Sequence, residues 1–433
     1  MERLLHYVWK NRLMPRQGLV TTDGQRVEVL SPGFHNKDAG PDFFCADIVI
    51  DGEDWMGNVE IHTFSSDWYR HGHDHDKTYN NVVLHVVEHA DREICTESGR
   101  HVPQVELEVP GFVVRNYEHL QAYEDYPPCY RLANALPEIV SKRWVAHLAE
   151  ERMQRKAEEI DRRLKSCECN WEQVLFVTLA RAFGFGVNSD AFERWARRIP
   201  YFGVAKHRDN LFQIEAMFLG QAGLLDETTF KASQSENINS DDYYLRLKQE
   251  YSFLANKFSL TPMNGFEWKF MRMRPQNFPT IRLAQFAALY YGQRLCLSEL
   301  IDANDIKQFY TLFDFDVSPY WQNHYTLCGG EVSATSRKLQ KGSLDSLIIN
   351  AVVPTLYAYG RYRASSKLMN KAIRLLCSLE GEDNKYTRVW KKMGMSVDNA
   401  RDSQAVVQLM TQYCGRRDCL RCQLGYQYIK QGK

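Results

Sequence analysis

Four short runs crowd the first 125 residues: FFCADIVIDG, MGNVEIHTF, NNVVLHVVEH and VPQVELEVPG. Each is rich in β-branched and apolar residues, and turn residues such as Asp51-Gly52 and Ser98-Gly99 separate them, which is how strands are written. The opening segment, Arg3 to Leu13, suits a short helix. Beyond residues 125–140 the texture changes. From Leu136 onward apolar residues recur at spacings of three and four among charges, as in RWVAHLAEERMQRKAEEIDRRL from Arg143 to Leu164. Trp171–Phe183, Asp190–Ile199, Leu211–Leu219, Tyr243–Phe258, Ile281–Leu295, Asp305–Phe313, Leu344–Ala351 and Ser403–Cys414 continue in the same style. Strands first and helices afterwards predict an α+β chain: a β-rich domain over residues 1–130, then a larger all-helical domain over 131–433 that ends in a cysteine-rich tail. The polar stretch DETTFKASQSENINSDD marks a subdomain break near 226–242.

A chain of 433 residues suits two or three domains, and 44% hydrophobic with 25% charged residues describes a folded protein. Lysines plus arginines and aspartates plus glutamates both number 54, which excludes attachment to nucleic acid through bulk charge but leaves a local basic face open. No run reaches about 18 uninterrupted apolar residues, so no membrane span is expected. The most apolar stretch, LIINAVVPTLYAYG, is broken by Asn350 and Pro354. The start, MERLLHYVWKNRLMPRQ, lacks the apolar core of a signal peptide, so a cytoplasmic location is expected. Eleven cysteines are too few for a disulfide scaffold, and in a reducing compartment clustered cysteines point to a metal or cluster.

Chemistry concentrates between Gly40 and His89, where six of the thirteen histidines fall between His62 and His89. Residues two apart on a strand share a face, so VEIH sets Glu60 beside His62, and His85 lies on the face of Val83 and Val87. Asp42 follows a Gly-Pro turn just before the strand Ala46–Ile50. If these strands are neighbours, Asp42, Glu60 and His62 converge into a ligand set for Mg²⁺, Mn²⁺ or Zn²⁺. The loop HGHDHD adds His73 and Asp76 as further metal candidates, followed by His85.

Pro41-Asp42, then Glu60-Ile61-His62 with seventeen residues between Asp42 and Glu60, resembles the PD-(D/E)XK nuclease superfamily, in which Pro-Asp precedes one strand and Glu-x-Lys occupies the next. The resemblance implies a restriction-endonuclease-like domain, with Asp42 and Glu60 holding a divalent metal that activates water against a phosphodiester. His62 stands where that pattern has lysine. Two alternatives follow. One is a non-catalytic nucleic-acid-binding or scaffold protein on a degenerate nuclease core. The other is a zinc-dependent hydrolase built on the histidine cluster.

The tail YCGRRDCLRCQLG spaces Cys414, Cys419 and Cys422 as C-x4-C-x2-C, which suits one Zn²⁺ or one iron–sulfur cluster, with Cys129 of YPPCYRL as candidate fourth ligand. In WKFMRMRPQNFPTIRLAQF, Lys269, Arg272, Arg274 and Arg282 interleave with Trp268, Phe270 and Phe278, a pattern that suits phosphate contact and base stacking. Pro275 and Pro279 are expected to break the chain between helices. Taken whole, GPDF, GNVEIH, SDWYRHGHDHDKTYNNVVLHVV, FGFGVN, GQAGLL, RPQNFPTIRLAQ and CLRCQLG are similar to an uncharacterised bacterial family of the domain-of-unknown-function type. That resemblance spans nearly the whole chain and implies no particular activity.

Overall fold

The computed structural model describes residues 1–14, 18–36, 38–123, 128–135, 138–293 and 295–431. Residues 124–127 and 136–137 of the expected boundary, Leu136 among them, lie outside this set. The backbone forms two compact units: Met1–Ser141 together with Leu409–Lys433, and Lys142–Gln408. The cysteine-rich tail, expected to close the helical domain, therefore completes the sheet unit instead.

In the first unit, helix α1 (Glu2–Lys10) buries Leu4, Leu5, Val8 and Trp9, spacings that fall on one helical stripe. Its companion sheet contains β1 (Leu19–Val20), β2 (Arg26–Ser31), β3 (Phe34–His35), β4 (Phe43–Ile50), β5 (Glu53–Phe64), β6 (Val82–His89) and β7 (Gln104–Glu106). The order is β1-β2-β4-β5-β6-β7, with β3 also paired to β4. The pairs β2–β4 and β4–β5 are antiparallel, whereas β5–β6 and β6–β7 are parallel. An antiparallel bridge from Thr21 to Val105 brings the two ends of the sheet together at one corner.

A parallel partner cannot be reached by a tight turn, so the chain must cross over one face of the sheet between β5 and β6. That crossover holds α2 (Asp67–Arg70) and two 3₁₀ turns, His73–His75 and Lys77–Tyr79. Trp68 anchors it: the ring is fully buried with Tyr79, Val82, Ile94 and Val102, and its Nε1–H donates to Cys95 O at 3.0 Å. After α3 (Gly111–Gln121), the tail returns as the helix Gln423–Ile429. There Asn116 Nδ2 donates to the carbonyls of Ile429 (3.1 Å) and Gln431 (2.9 Å), meeting acceptors that a helix end leaves open.

The second unit is helical, as its periodicity predicts. Long α4 (Glu138–Ser166) is followed by α5 (Trp171–Phe183), capped where Asn170 Oδ1 accepts N–H bonds from Glu172 and Gln173, and by α6 (Ser189–Arg198). The segment with two prolines does break between helices: Pro275 opens a 3₁₀ turn and Pro279 begins the helix Pro279–Tyr290, every residue of which is buried. No subdomain break appears at 226–242. This stretch forms the short turns Glu227–Thr229 and Ala232–Ser235, and Phe218 and Tyr244 on either side of it share one core.

Candidate metal centre

Asp42 immediately precedes β4, and Glu60 lies opposite on β5. Each carboxylate takes a main-chain N–H from the other's segment: Asp42 N–H donates to Glu60 Oε2, and Ile61 N–H to Asp42 Oδ2, both at 3.0 Å. Burial raises both carboxyls above their usual range, and the charge of Asp42 raises Glu60 further. Two acids this close in a dry site repel when both are ionised, so a cation beside them would relieve both costs. From α1, His6 Nε2 approaches Asp42 Oδ2 to 3.4 Å.

A chain of hydrogen bonds then determines the tautomer of His62. Gln104 spends its Nε2–H on Arg92 O (2.9 Å), so Oε1 is the atom it turns to His85. His85 must therefore donate from Nδ1 (3.2 Å), which leaves its Nε2 to accept from His62 Nδ1–H at 2.9 Å. His62 Nε2 is consequently a bare lone pair. It lies 3.2 Å from His71 Nδ1 and 3.5 Å from Glu60 Oε1. Burial holds His62 far below the usual imidazole range, with the neighbouring His85 next in effect, and burial pushes His85 down to about 4. Both rings are neutral, the form that binds metals.

His73 closes the group. Its ring stacks on Tyr79 at 3.8 Å and on His62 at 5.3 Å, which leaves it no rotamer freedom. Its Nε2 is buried 3.3 Å from Glu60 Oε1 yet makes no hydrogen bond. Gly72, at φ +77°, supplies the left-handed step between His71, which stays exposed with its Nδ1 towards His62, and His73, which is buried. One nitrogen each from His62, His71 and His73 lies within 4.8 Å of the other two. Three nitrogens of a tetrahedral zinc site stand about 3.4 Å apart at Zn–N bonds of about 2.05 Å, so small side-chain adjustments suffice.

The fold thus brings Asp42, Glu60, His62 and His73 together. Both ring nitrogens of His85 are engaged, by His62 and by Gln104, so it orients a candidate ligand and is not one. Asp76 is a correction. It is exposed and caps the turn after it, accepting from Thr78 N–H and Oγ1–H, both at 2.8 Å. His71, His6 and Gln104 were not among the sequence candidates. Density of histidine was the one available signal for His71, while Gln104 and His6 become visible only through the pairing of β6 with β7 and the packing of α1.

The four cysteines gather in the same unit, and none forms a disulfide. Cys129 lies in the 3₁₀ stretch Pro128–Ala135, against which the helix Gln423–Ile429 packs, and Cys422 caps that helix. Burial raises the thiols of Cys129 and Cys414; Cys422 and Cys419 raise both further, and Cys129 also raises Cys414. Main-chain N–H groups of Gly425 and Leu424 point at the Cys422 sulfur. Among the described residues the histidine trio alone brings three ligand atoms within 4.8 Å of one another, so no three of the four sulfurs gather that closely.

In the helical unit, Lys269, Arg272 and Arg274 are exposed. Arg282 is a correction: it is buried over the Phe185 ring at 4.3 Å and donates to Gln285 Oε1 (2.8 Å) and Asn277 Oδ1 (2.7 Å). Trp268 is likewise core, its Nε1–H donating to Ala222 O at 2.9 Å. No helix among the described residues is long and apolar enough to cross a membrane. A family model described as a protein of unknown function (DUF2851) matches residues 2–385. No curated protein and no solved structure matches the chain.

Proposed function

The chain belongs to the DUF2851 family, and from that footing we propose that its sheet unit is a divalent-metal-dependent hydrolase of phosphodiester bonds, with nucleic acid as the substrate class. The observation that carries this reading is the directed lone pair of His62 Nε2, held by the Arg92–Gln104–His85 relay and facing two more imidazoles and a buried carboxylate. Metal-binding histidines characteristically donate their second ring N–H to such a partner. His62, His71, His73 and Glu60 hold the ion. A mixed imidazole and carboxylate set suits Zn²⁺ or Mn²⁺ better than Mg²⁺. Such an ion, when bound, would supply polarisation of the phosphate and a lowered pKa for water. Asp42, fixed by Ile61 N–H and lying outside the imidazole group, accepts the proton of the attacking water. Phosphodiester chemistry is favoured because Asp42 before β4 and Glu60-x-His62 on β5 repeat the strand arrangement of the PD-(D/E)XK resemblance.

The test is metal analysis of the purified full chain, with hydrolysis of bis(p-nitrophenyl) phosphate and of single- and double-stranded DNA and RNA under Zn²⁺, Mn²⁺ or Mg²⁺. One metal per histidine site and cleavage, both lost in Glu60→Gln and His62→Ala, are expected. Metal retention in His62→Ala refutes the site. Binding of nucleic acid without turnover favours the scaffold reading, which Lys269, Arg272 and Arg274 support by their exposure. Hydrolysis of carboxylic esters alone favours a zinc hydrolase of another substrate.

The four cysteines are read as a separate ligand set for an iron–sulfur cluster, because they gather in one unit and four thiolates are what such a cluster takes. Iron with broad absorption near roughly 400 nm in anaerobically purified protein supports this. One zinc lost in Cys419→Ser replaces the cluster with a zinc staple.

A further inference from the structure

The helical unit contains a cavity of about 360 Å³ between α4, α5 and the π-turn Ile348–Val352. Its polar lining includes Arg152, Lys156, Arg163, Thr178, Arg181 and Asn350. Two of the four cations are neutralised. Arg163 makes a two-pronged pair with Glu193, and Arg181 pairs with Glu193 (2.9 Å) and Asp190 (2.6 Å). The other two face neutral atoms. Arg152 Nε donates to Gln404 Oε1, and Lys156 Nζ donates to Asn350 Oδ1 (2.8 Å) and Ile349 O (3.3 Å).

Lys156 is 8% exposed, and among the described residues no carboxylate lies within ion-pair distance of it. The acid nearest in effect, Glu382, is occupied by Gln404, Ser403 and Asn350. Glu159 is the one carboxylate in the lining. Both acids act on Lys156 only through space and burial outweighs them, so this ammonium lacks an ion-pair partner in contact, an expensive arrangement. A second, independent feature stands beside it. Thr178 is 4% exposed, lines the cavity and leaves its Oγ1 without a partner, although a helical threonine ordinarily bonds the carbonyl one turn back.

We propose that this cavity is a binding site for a small phosphate-bearing ligand, whose oxygens are received by Lys156 Nζ, Thr178 Oγ1 and the Arg152 guanidinium. Three donors on two helices serve three oxygens, which a phosphate presents and a lone carboxylate does not. Ile160, Phe185 and Pro354 supply the apolar part of the wall. The volume lies at the small end of ligand pockets, which fits a free phosphate or a compact phosphate ester and not a polymer.

The test is calorimetric titration of the full chain with inorganic phosphate and with ribose 5-phosphate, against sodium chloride at equal ionic strength. Saturable binding of one or both is expected, and tighter binding of ribose 5-phosphate identifies an ester as the ligand. Lys156→Met should weaken binding at least tenfold. Thr178→Val, which removes a hydroxyl with no partner and should not destabilise the fold, should weaken it several-fold. It keeps the test intact if Lys156→Met fails to fold. Absence of saturable binding beyond the chloride control overturns the site, as does wild-type affinity in Thr178→Val or in a folded Lys156→Met. None of these readouts depends on hydrolysis by the sheet unit.

Discussion

Gln104→Leu separates the hydrogen-bond relay from the metal ligands, because Gln104 touches neither the proposed ion nor its ligands. Gln104 is 2% exposed, and it connects Arg92 O to His85 Nδ1 by bonds of 2.9 and 3.2 Å. Leucine fills a similar volume but accepts nothing. The Nδ1–H of fully buried His85 then loses its partner, a cost of about 1–3 kcal/mol. Without the acceptor, His85 can move its proton to Nε2. His62 must then accept at Nδ1 and carry its own proton on Nε2, where the ion belongs. Loss of such an outer partner weakens metal binding by about 10- to 100-fold. At about 1.4 kcal/mol per tenfold, that is about 1.4–2.8 kcal/mol. Zn²⁺ affinity is measured by competition with a chromogenic chelator, and stability by urea unfolding of the metal-free protein. The variant should lose in both. Gln104→Glu, which keeps an acceptor, should retain the affinity. A folded Gln104→Leu that binds Zn²⁺ within twofold of wild type refutes the relay and the tautomer assigned to His62.

Three further outcomes follow from the same packing. Trp68→Ala removes the fully buried anchor of the crossover and should cost about 3–5 kcal/mol in urea unfolding, with loss of metal binding as His73 loses its edge-on neighbour. Gly72→Ala leaves open space around the new methyl but forces it into a left-handed backbone, so a cost of about 1–2 kcal/mol and weaker Zn²⁺ binding are expected. In the helical unit, burial alone would raise Glu193, but Arg163, Arg197 and Arg181 outweigh it and hold the carboxyl at about 2 against the usual 4.5. A folded pKa below the unfolded one stabilises above pH 4.5, and that stability disappears as pH falls towards 2. The gap of about 2.5 units sets an upper bound of about 3.4 kcal/mol. Urea unfolding from pH 7 to 2.5 should show the loss in wild type and a flatter profile in Glu193→Gln.

Much of the architecture was legible because it is local. Helix Trp171–Phe183 and strand Phe43–Ile50 follow from spacing, and α1 begins within a residue of its expected start. The pairing of Glu60 with His62 on one strand face required no tertiary information. The loop HGHDHD was a different matter. Nothing in its composition distinguishes His71, exposed but with its Nδ1 against His62, from Asp76, which turns away to cap Thr78. Arg282 was equally ambiguous, since an arginine between aromatics suits a nucleic-acid surface and a buried stack over Phe185 alike. The tail looked like an extension of the helices because its partners, Asn116 and Gln121, lie about three hundred residues away in sequence.

Periodicity, turn residues and strand parity identify which residues exist on which elements, because those properties extend over a few neighbouring residues. The metal centre depends on contacts that no local rule encodes. The parallel registration of β6 on β5 sets His85 opposite Glu60 and within hydrogen-bond reach of His62, and β7 brings Gln104 to His85. A crossover held by Trp68 brings His73 to Glu60 and His71 to His62. Side-chain direction is local, but convergence is a sum over long loops, and it emerges only when burial of the apolar faces has selected one way of closing them.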